Sequence, residues 1–130
     1  MVRMFLRSIT PRQVAAMTNP KIIFQIAYDQ ESMFTRAALL ERHGHHVVSV
    51  LDTKVAKDVL VPGQHYDLFI IGHTAPESER LDIVNWLRER YPGAKILALN
   101  LPHRAGVPGA DFNVGATEIA DWLTVIDGLQ

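Results

Sequence analysis

The sequence predicts an α/β protein, a parallel sheet with helices packed on both faces. Three observations carry this reading. Short apolar runs alternate with longer amphipathic stretches from residue 21 onward, the rhythm of strand–helix–strand crossovers. The third run, Tyr66-Asp-Leu-Phe-Ile-Ile-Gly72, is almost wholly apolar, as a strand covered on both faces must be. The 130 residues, 48% hydrophobic and 21% charged, suffice for one domain with its own core.

Composition also excludes several classes. Thirteen basic against fourteen acidic residues leave a net charge of -1, so bulk charge favours neither nucleic acid nor a membrane surface as a partner. The absence of cysteine removes disulfides, thiolate nucleophiles, cysteine-based zinc sites and iron–sulfur clusters, and suits a reducing cytoplasmic location. No apolar stretch approaches the roughly 18 residues that span a membrane.

Residues 1–20 stand apart. They carry Arg3, Arg7 and Arg12 without an acid, and Arg7 interrupts Met4-Phe5-Leu6, so the apolar core of a secretory signal is missing. This stretch reads as a flexible basic extension, and residues 21–130 as the domain.

Within the domain, Lys21–Ala27 reads as a buried strand. Asp29 caps a helix that runs to about His43. Met33, Ala37 and Leu40 form its apolar stripe, with Phe34 and Ala38 beside it, while Arg36, Glu41 and Arg42 fall elsewhere. Gly44 ends the helix. His46–Leu51 is a second strand, and Thr53 to about Leu60 a short helix closed by Val61-Pro62-Gly63. Tyr66–Gly72 is the central strand. Thr74-Ala-Pro-Glu77 has capping-box spacing and opens a helix that turns Ile83, Val84, Leu87 and Tyr91 to the sheet, with Trp86 on its outer or edge side. Lys95–Asn100 is the fourth strand. Pro102, Gly106 and Pro108 make the next segment a loop with at most one helical turn. Asp111–Val114 is a short fifth strand. Thr117 caps a last helix bearing Ile119, Leu123 and Ile126, with Trp122 next to that stripe.

Five strands in this pattern suit the three-layer α/β/α, flavodoxin-like, doubly wound fold with strand order 2-1-3-4-5, its helix between strands four and five shortened or absent. Ligands of such sheets sit at the carboxyl ends of strands one and three. Here that means Ala27, Tyr28 and Asp29, then Gly72, His73 and Thr74, with Asn100 beside them.

Several landmarks, taken in order and spacing, resemble the receiver domains of two-component response regulators. They are Ile26-Ala-Tyr-Asp29, Leu39-Leu-Glu-Arg-His-Gly44 followed by Val47-Val48, Asp67-Leu-Phe-Ile-Ile-Gly-His-Thr-Ala-Pro76, Arg90-Tyr-Pro-Gly-Ala-Lys-Ile-Leu97 and Gly109-Ala-Asp111. The similarity runs from Lys21 to about Gly128 and implies a phosphorelay signal-transduction module. In that family an aspartate ending strand three accepts the phosphoryl group, and an acidic pair after strand one holds Mg²⁺. A Ser or Thr ends strand four, and a lysine follows strand five. The matching positions here are Gly72, then Ala27 and Tyr28, then Asn100, then Ala116, with Thr117 in place of the proline after the lysine. Gly72 has no nucleophile. Mg²⁺ would find no carboxylate pair, since only Asp29 stands next door. Asn100 still hydrogen-bonds. Asp67 lies five residues before Gly72, at the far end of the strand at roughly 3.3 Å per residue.

The resemblance therefore implies a pseudo-receiver, non-enzymatic and without metal or cofactor, that acts through contacts with a protein partner. Its degenerate pocket is Ala27, Tyr28, Asp29, Gly72, His73, Asn100 and Ala116. The alternative is a flavodoxin-like module that binds a small molecule or anion around Tyr28, Asp29, His73 and Asn100. A third reading, a small hydrolase built on His73 with Asp29 or Asn100 as partner, lacks a nucleophile because Thr74 serves as a cap. His43-Gly-His45-His46 reads as structural or adventitious, since neighbouring residues entering a strand point to opposite faces and do not converge on a metal.

Overall fold

The computed structural model describes residues 19–129; of the expected basic extension, residues 1–18 lie outside the described residues. Five strands alternate with helices: β1 (Ile22–Ile26), α1 (Gln30–Arg42), β2 (His46–Val50), α2 (Thr53–Val59), β3 (Leu68–Ile71), α3 (Glu77–Arg90), β4 (Lys95–Asn100), β5 (Phe112–Gly115) and α4 (Ile119–Asp127). Every strand pairing is parallel and the order is β2-β1-β3-β4-β5. This is the doubly wound sheet the sequence predicts, and β4 runs to β5 without a helix.

The period-2 alternation of strand side chains sorts the core into two layers. Phe24, Ile26, Phe69, Ile71, Ile96 and Ala98 meet Ala56, Ile83, Val84 and Leu87, so α2 and α3 cover one face. Ile23, Leu68, Ile70, Leu97 and Leu99 meet Leu40, Trp122 and Ile126, so α1 and α4 cover the other. Each fully buried Leu, Ile, Val or Phe among them contributes about 1.5–3 kcal/mol of transfer free energy. In the first layer Phe24, Tyr66, Phe69 and Tyr91 pack as tilted and edge-on aromatic pairs.

The expected caps hold in part. Asp29 caps α1 by accepting the Ser32 N–H at 2.9 Å. Asp52, not singled out in the sequence, caps α2 by accepting the Val55 N–H at 2.8 Å. The expected caps of the other two helices are corrected. Pro76 is the N-cap of α3 and Glu118 that of α4, neither with a side-chain cap bond. Thr74 instead donates its hydroxyl to Asp29 Oδ1 at 3.4 Å. The stripe of α1 is corrected too: Arg36 is buried with Leu40, and Phe34 and Ala38 face solvent. On α4 the buried pair is Trp122 and Ile126, and Ile119 is exposed.

The direct β4–β5 link replaces a helix with one buried side chain. Val107 joins the α2–α3 layer. Asn113 Oδ1 accepts the Val107 N–H at 2.8 Å and Asn100 Nδ2 at 3.2 Å, which pins the loop to two strand ends. Gly106 is required there because a Cβ would strike the Asn113 side chain.

The amino-terminal edge of the sheet is held by two side chains. Asp67 Oδ2 accepts the Ile22 N–H at 2.8 Å, so this acid staples β1 to the segment before β3. Buried His45 accepts the Lys21 N–H on Nδ1 at 3.0 Å, which requires the neutral ring. Burial holds the His45 pKa below its ordinary 6.5. The unfolded chain therefore binds the proton more readily, and the His45 contribution to stability is complete above the unfolded value and falls as pH drops below it. Denaturant melts across this range are expected to show that loss. His45→Ala is expected to cost about 1–3 kcal/mol at neutral pH, by stranding the Lys21 N–H, and to flatten the acid side of the profile.

Candidate functional site

The carboxyl ends of β1, β3 and β4 converge on one pole, and the fold brings Ala27, Tyr28, Asp29, Gly72, His73 and Asn100 there. Ala27 and Gly72 touch through backbone. The Gly72 N–H donates to Ile26 O at 2.8 Å. A Cβ built on Gly72 would overlap the Ala27 carbonyl oxygen and stand 2.9 Å from its carbon. The space that a side chain at residue 72 would need is thus filled by the turn out of β1.

Tyr28 enters that turn with φ at 70°, the left-handed region that is unfavourable for a residue with a Cβ. Its ring packs against the α2–α3 layer and its hydroxyl meets Thr53 Oγ1 at 2.7 Å. Burial pushes the phenol pKa up to about 12. Burial also pushes the Asp29 carboxyl upward, but the hydrogen bonds from Ser32 and Thr74 outweigh it and hold Asp29 below the usual range.

Half-buried His73 makes no hydrogen bond to Asp29 or Asn100, and its buried Nδ1 has no partner among the described residues. Burial, then the charges of Arg36, Arg80 and Arg104 against Asp29, set its pKa below the ordinary value. A histidine so placed favours the neutral ring at physiological pH and lacks the oriented partner that a general base needs.

Sequence reasoning missed the two most buried charges among the described residues. Arg80 is 1% exposed; its Nη2 donates to the Leu99 carbonyl and, at 3.0 Å, to Asn100 Oδ1, while Nε has no partner. Arg36 is 4% exposed; its Nη1 donates to Gln25 Oε1 at 2.9 Å, its guanidinium lies 5.8 Å from the Trp122 ring centroid, and its Nε is also unpartnered. Neither forms a salt bridge among the described residues. Burial lowers the Arg36 pKa to about 10, which leaves it cationic at neutral pH. The signal was present. Arg80 precedes Ile83, Val84 and Leu87 by three, four and seven residues, and Arg36 precedes Leu40 by four, so both sit on apolar stripes.

An open volume lies to one side of this cluster. A cleft of about 420 Å³ is lined by Asn100, Leu101, Arg104, Asn113, Ala116 and Thr117 among others. Of the residues expected in the pocket, Asn100 and Ala116 line it, and Ala27, Tyr28, Asp29, Gly72 and His73 do not. Among the described residues no three His, Asp or Glu side chains are grouped to hold a metal ion. His43, His45 and His46 likewise do not converge on one point: His45 is turned to the Lys21 N–H and His43 Nδ1 to Leu39 O.

Solved structures share this architecture. A response regulator receiver domain (CheY-like) from Methylobacillus flagellatus is similar at TM-score 0.72 and 19% identity, over 86% of this chain and 100% of that one. Response regulator TrrA from Thermotoga maritima, solved with Mg²⁺–BeF, is similar at TM-score 0.73 and 18% identity, over 85% of this chain and 99% of that one. TrrA in complex with the histidine kinase ThkA is similar at 0.70 and 18%, over 82% and 96%. The chain has the receiver-domain fold. No protein-family model matches the sequence, and no curated protein does. The pole just described is the carboxyl end of the sheet, and β4 leads to β5 without a helix, as the sequence predicts.

The half-buried Tyr28 phenol supplies a test of this geometry. Its folded pKa exceeds the unfolded value of 10.0, so its contribution to stability is present below pH 10 and is lost as pH rises toward 12. Tyr28→Phe is expected to cost about 1 kcal/mol at neutral pH, through the lost Thr53 bond, and to remove one late-titrating phenol from the alkaline absorbance titration.

Proposed function

We propose that this chain is a signal-transduction module that uses the receiver scaffold without accepting a phosphoryl group, and that works by contact with a protein partner in the cytosol. The observation that carries this reading is the packing at Gly72. The residue aligned with the family's phosphoacceptor has no side chain, and the Ala27 carbonyl occupies the space where one would begin. The aligned metal positions, Ala27 and Tyr28, offer no carboxylate. Arg80, a buried cation hydrogen-bonded to Asn100, stands at the pole where the family would gather acids, an arrangement that disfavours Mg²⁺. The role proposed is non-enzymatic, in keeping with a His73 that makes no hydrogen bond to Asp29 or Asn100 among the described residues. A protein partner is supported by the similar TrrA, solved in complex with a histidine kinase. No helix of the described residues is long and apolar enough to cross a membrane.

The test is incubation of the purified protein with acetyl phosphate and Mg²⁺, followed by intact mass. The expected result is no phosphoryl adduct; an adduct mapped to a carboxylate at the pole would overturn the reading. Gly72→Asp is expected not to restore acceptance. It is expected to destabilise the fold by about 1–3 kcal/mol or more, because the new Cβ forces β1 and β3 apart.

A further inference from the structure

We propose that residues 1–18 of this chain fold back over the open β2 edge, with Met4-Phe5-Leu6 seated on an apolar strip of Val48, Val55 and Val59. This goes beyond the partner reading and does not depend on it. β2 is the outermost strand on its side of the sheet. His46 donates its N–H to Lys21 O at 2.9 Å, and Val50 O accepts the Ala27 N–H at 3.0 Å, so the even-numbered residues bond to β1. Val47 and Ser49 therefore direct their backbone groups outward, with no strand beyond them among the described residues. Natural edge strands are guarded by charges, prolines or bulges. His46-Val-Val-Ser-Val50 carries no Asp, Glu, Lys, Arg or Pro, and it pairs with β1 without a bulge. The short α2 leaves the flank of this edge bare. Ala56 and Leu60 turn into the core, and Lys57 turns toward α3, where it meets Asp82 at 2.8 Å. Helical spacing puts Val55 and Val59 on the opposite flank, on the side of the β2 edge. Val48 is 43%, Val55 39% and Val59 47% exposed, and Val48 shares its sheet face with buried Val50. An apolar strip beside an unguarded edge marks a contact surface.

The chain's own residues 1–18 join the fold beside this edge. Asn19 and Pro20 lead into Lys21, and the Lys21–His46 hydrogen bond sets that junction at the amino-terminal corner of β2. Residues 7–19 can span about 40 Å at roughly 3.3 Å per residue, more than twice the length of the five-residue β2. Met4-Phe5-Leu6 can thus reach any point of the strip. Its chemistry also fits. Three adjacent apolar side chains stand between Arg3 and Arg7, and residues 1–18 hold a third arginine, Arg12, and no acid. Acids border the strip: Asp52 one turn before Val55, and Asp58 next to Val59. Lys54 holds Asp58 at 3.3 Å, whereas Asp52 forms no salt bridge among the described residues. The basic segment complements these acids, and a second copy of the chain would bring the same acids to the joint.

The chain has no cysteine, so Ser8→Cys in the full chain takes a single nitroxide label. The experiment is paramagnetic broadening of the backbone amides by NMR, at low protein concentration. Broadening centred on Val48, Val55 and Val59 is expected, with the α1–α4 face unaffected. Phe5→Asp, and separately Val55→Asp with Val59→Asp, are expected to lower the docked fraction about tenfold or more, and the broadening with it. Both valines are exposed, so their replacement leaves the fold intact, which the amide spectrum checks directly. A mixture of isotope-labelled chain without nitroxide and nitroxide-bearing chain without isotope isolates contacts between molecules. Broadening at the strip in that mixture would overturn the proposal in favour of self-association. Broadening spread evenly over the surface, or unchanged in both variants, would overturn it as well. Acetyl-phosphate labelling tests the partner model separately, so the two fail by different measurements.

Discussion

The exits of β1 and β3 pack backbone against backbone, and the Ala27 carbonyl lies where the side chain of residue 72 would begin. In a parallel sheet these exits define the place where ligands and chemistry assemble. Closing that place with main chain sets the rest of the pole. Tyr28 takes a left-handed backbone conformation as the chain leaves the contact, and its hydroxyl is directed to Thr53 at the start of α2. Asp29 is free to cap α1 rather than hold a cation. His73 leaves β3 over a filled space, with its Nδ1 buried and unpaired.

A second set of contacts links this pole to the shortened side of the molecule. Arg80 reaches Asn100, Asn100 reaches Asn113, and Asn113 holds the Val107 N–H. A polar relay of three side chains thus runs from α3 across two strand ends into the loop that stands where a helix is missing. Such networks are strong when every member is satisfied and costly when one is not. The unpaired Arg80 Nε marks its open end.

The architecture was legible in the sequence because it rests on local signals: apolar runs of strand length, stripes at helical spacing, and glycines and prolines between them. The order of the five strands and the absence of a helix before β5 followed from those signals. So did the Asp29 cap, an acid placed one residue before a helical pattern. The caps of α3 and α4 did not, because Thr74 lies two residues and Thr117 one residue ahead of the actual N-cap, an offset that a spacing rule does not register. The site was legible as an address and not as an environment. Arg36 and Arg80 were passed over because charge was read as exposure, although both lie on apolar stripes. The crowding at Gly72 depends on the mutual approach of two strands remote in sequence, which no local pattern encodes.

The placement of the two tryptophans has a practical consequence. Trp122 is buried in the α1–α4 layer beside Arg36, whereas Trp86 packs at the margin of the α2–α3 layer with the Arg90 guanidinium 4.4 Å from its ring centroid. The molecule therefore carries one intrinsic fluorophore on each side of its sheet, each adjoining a cation. Removing either indole by Trp→Phe leaves an optical probe confined to one layer. Loosening of the helices on one face becomes distinguishable from collapse of the whole sandwich without any attached label.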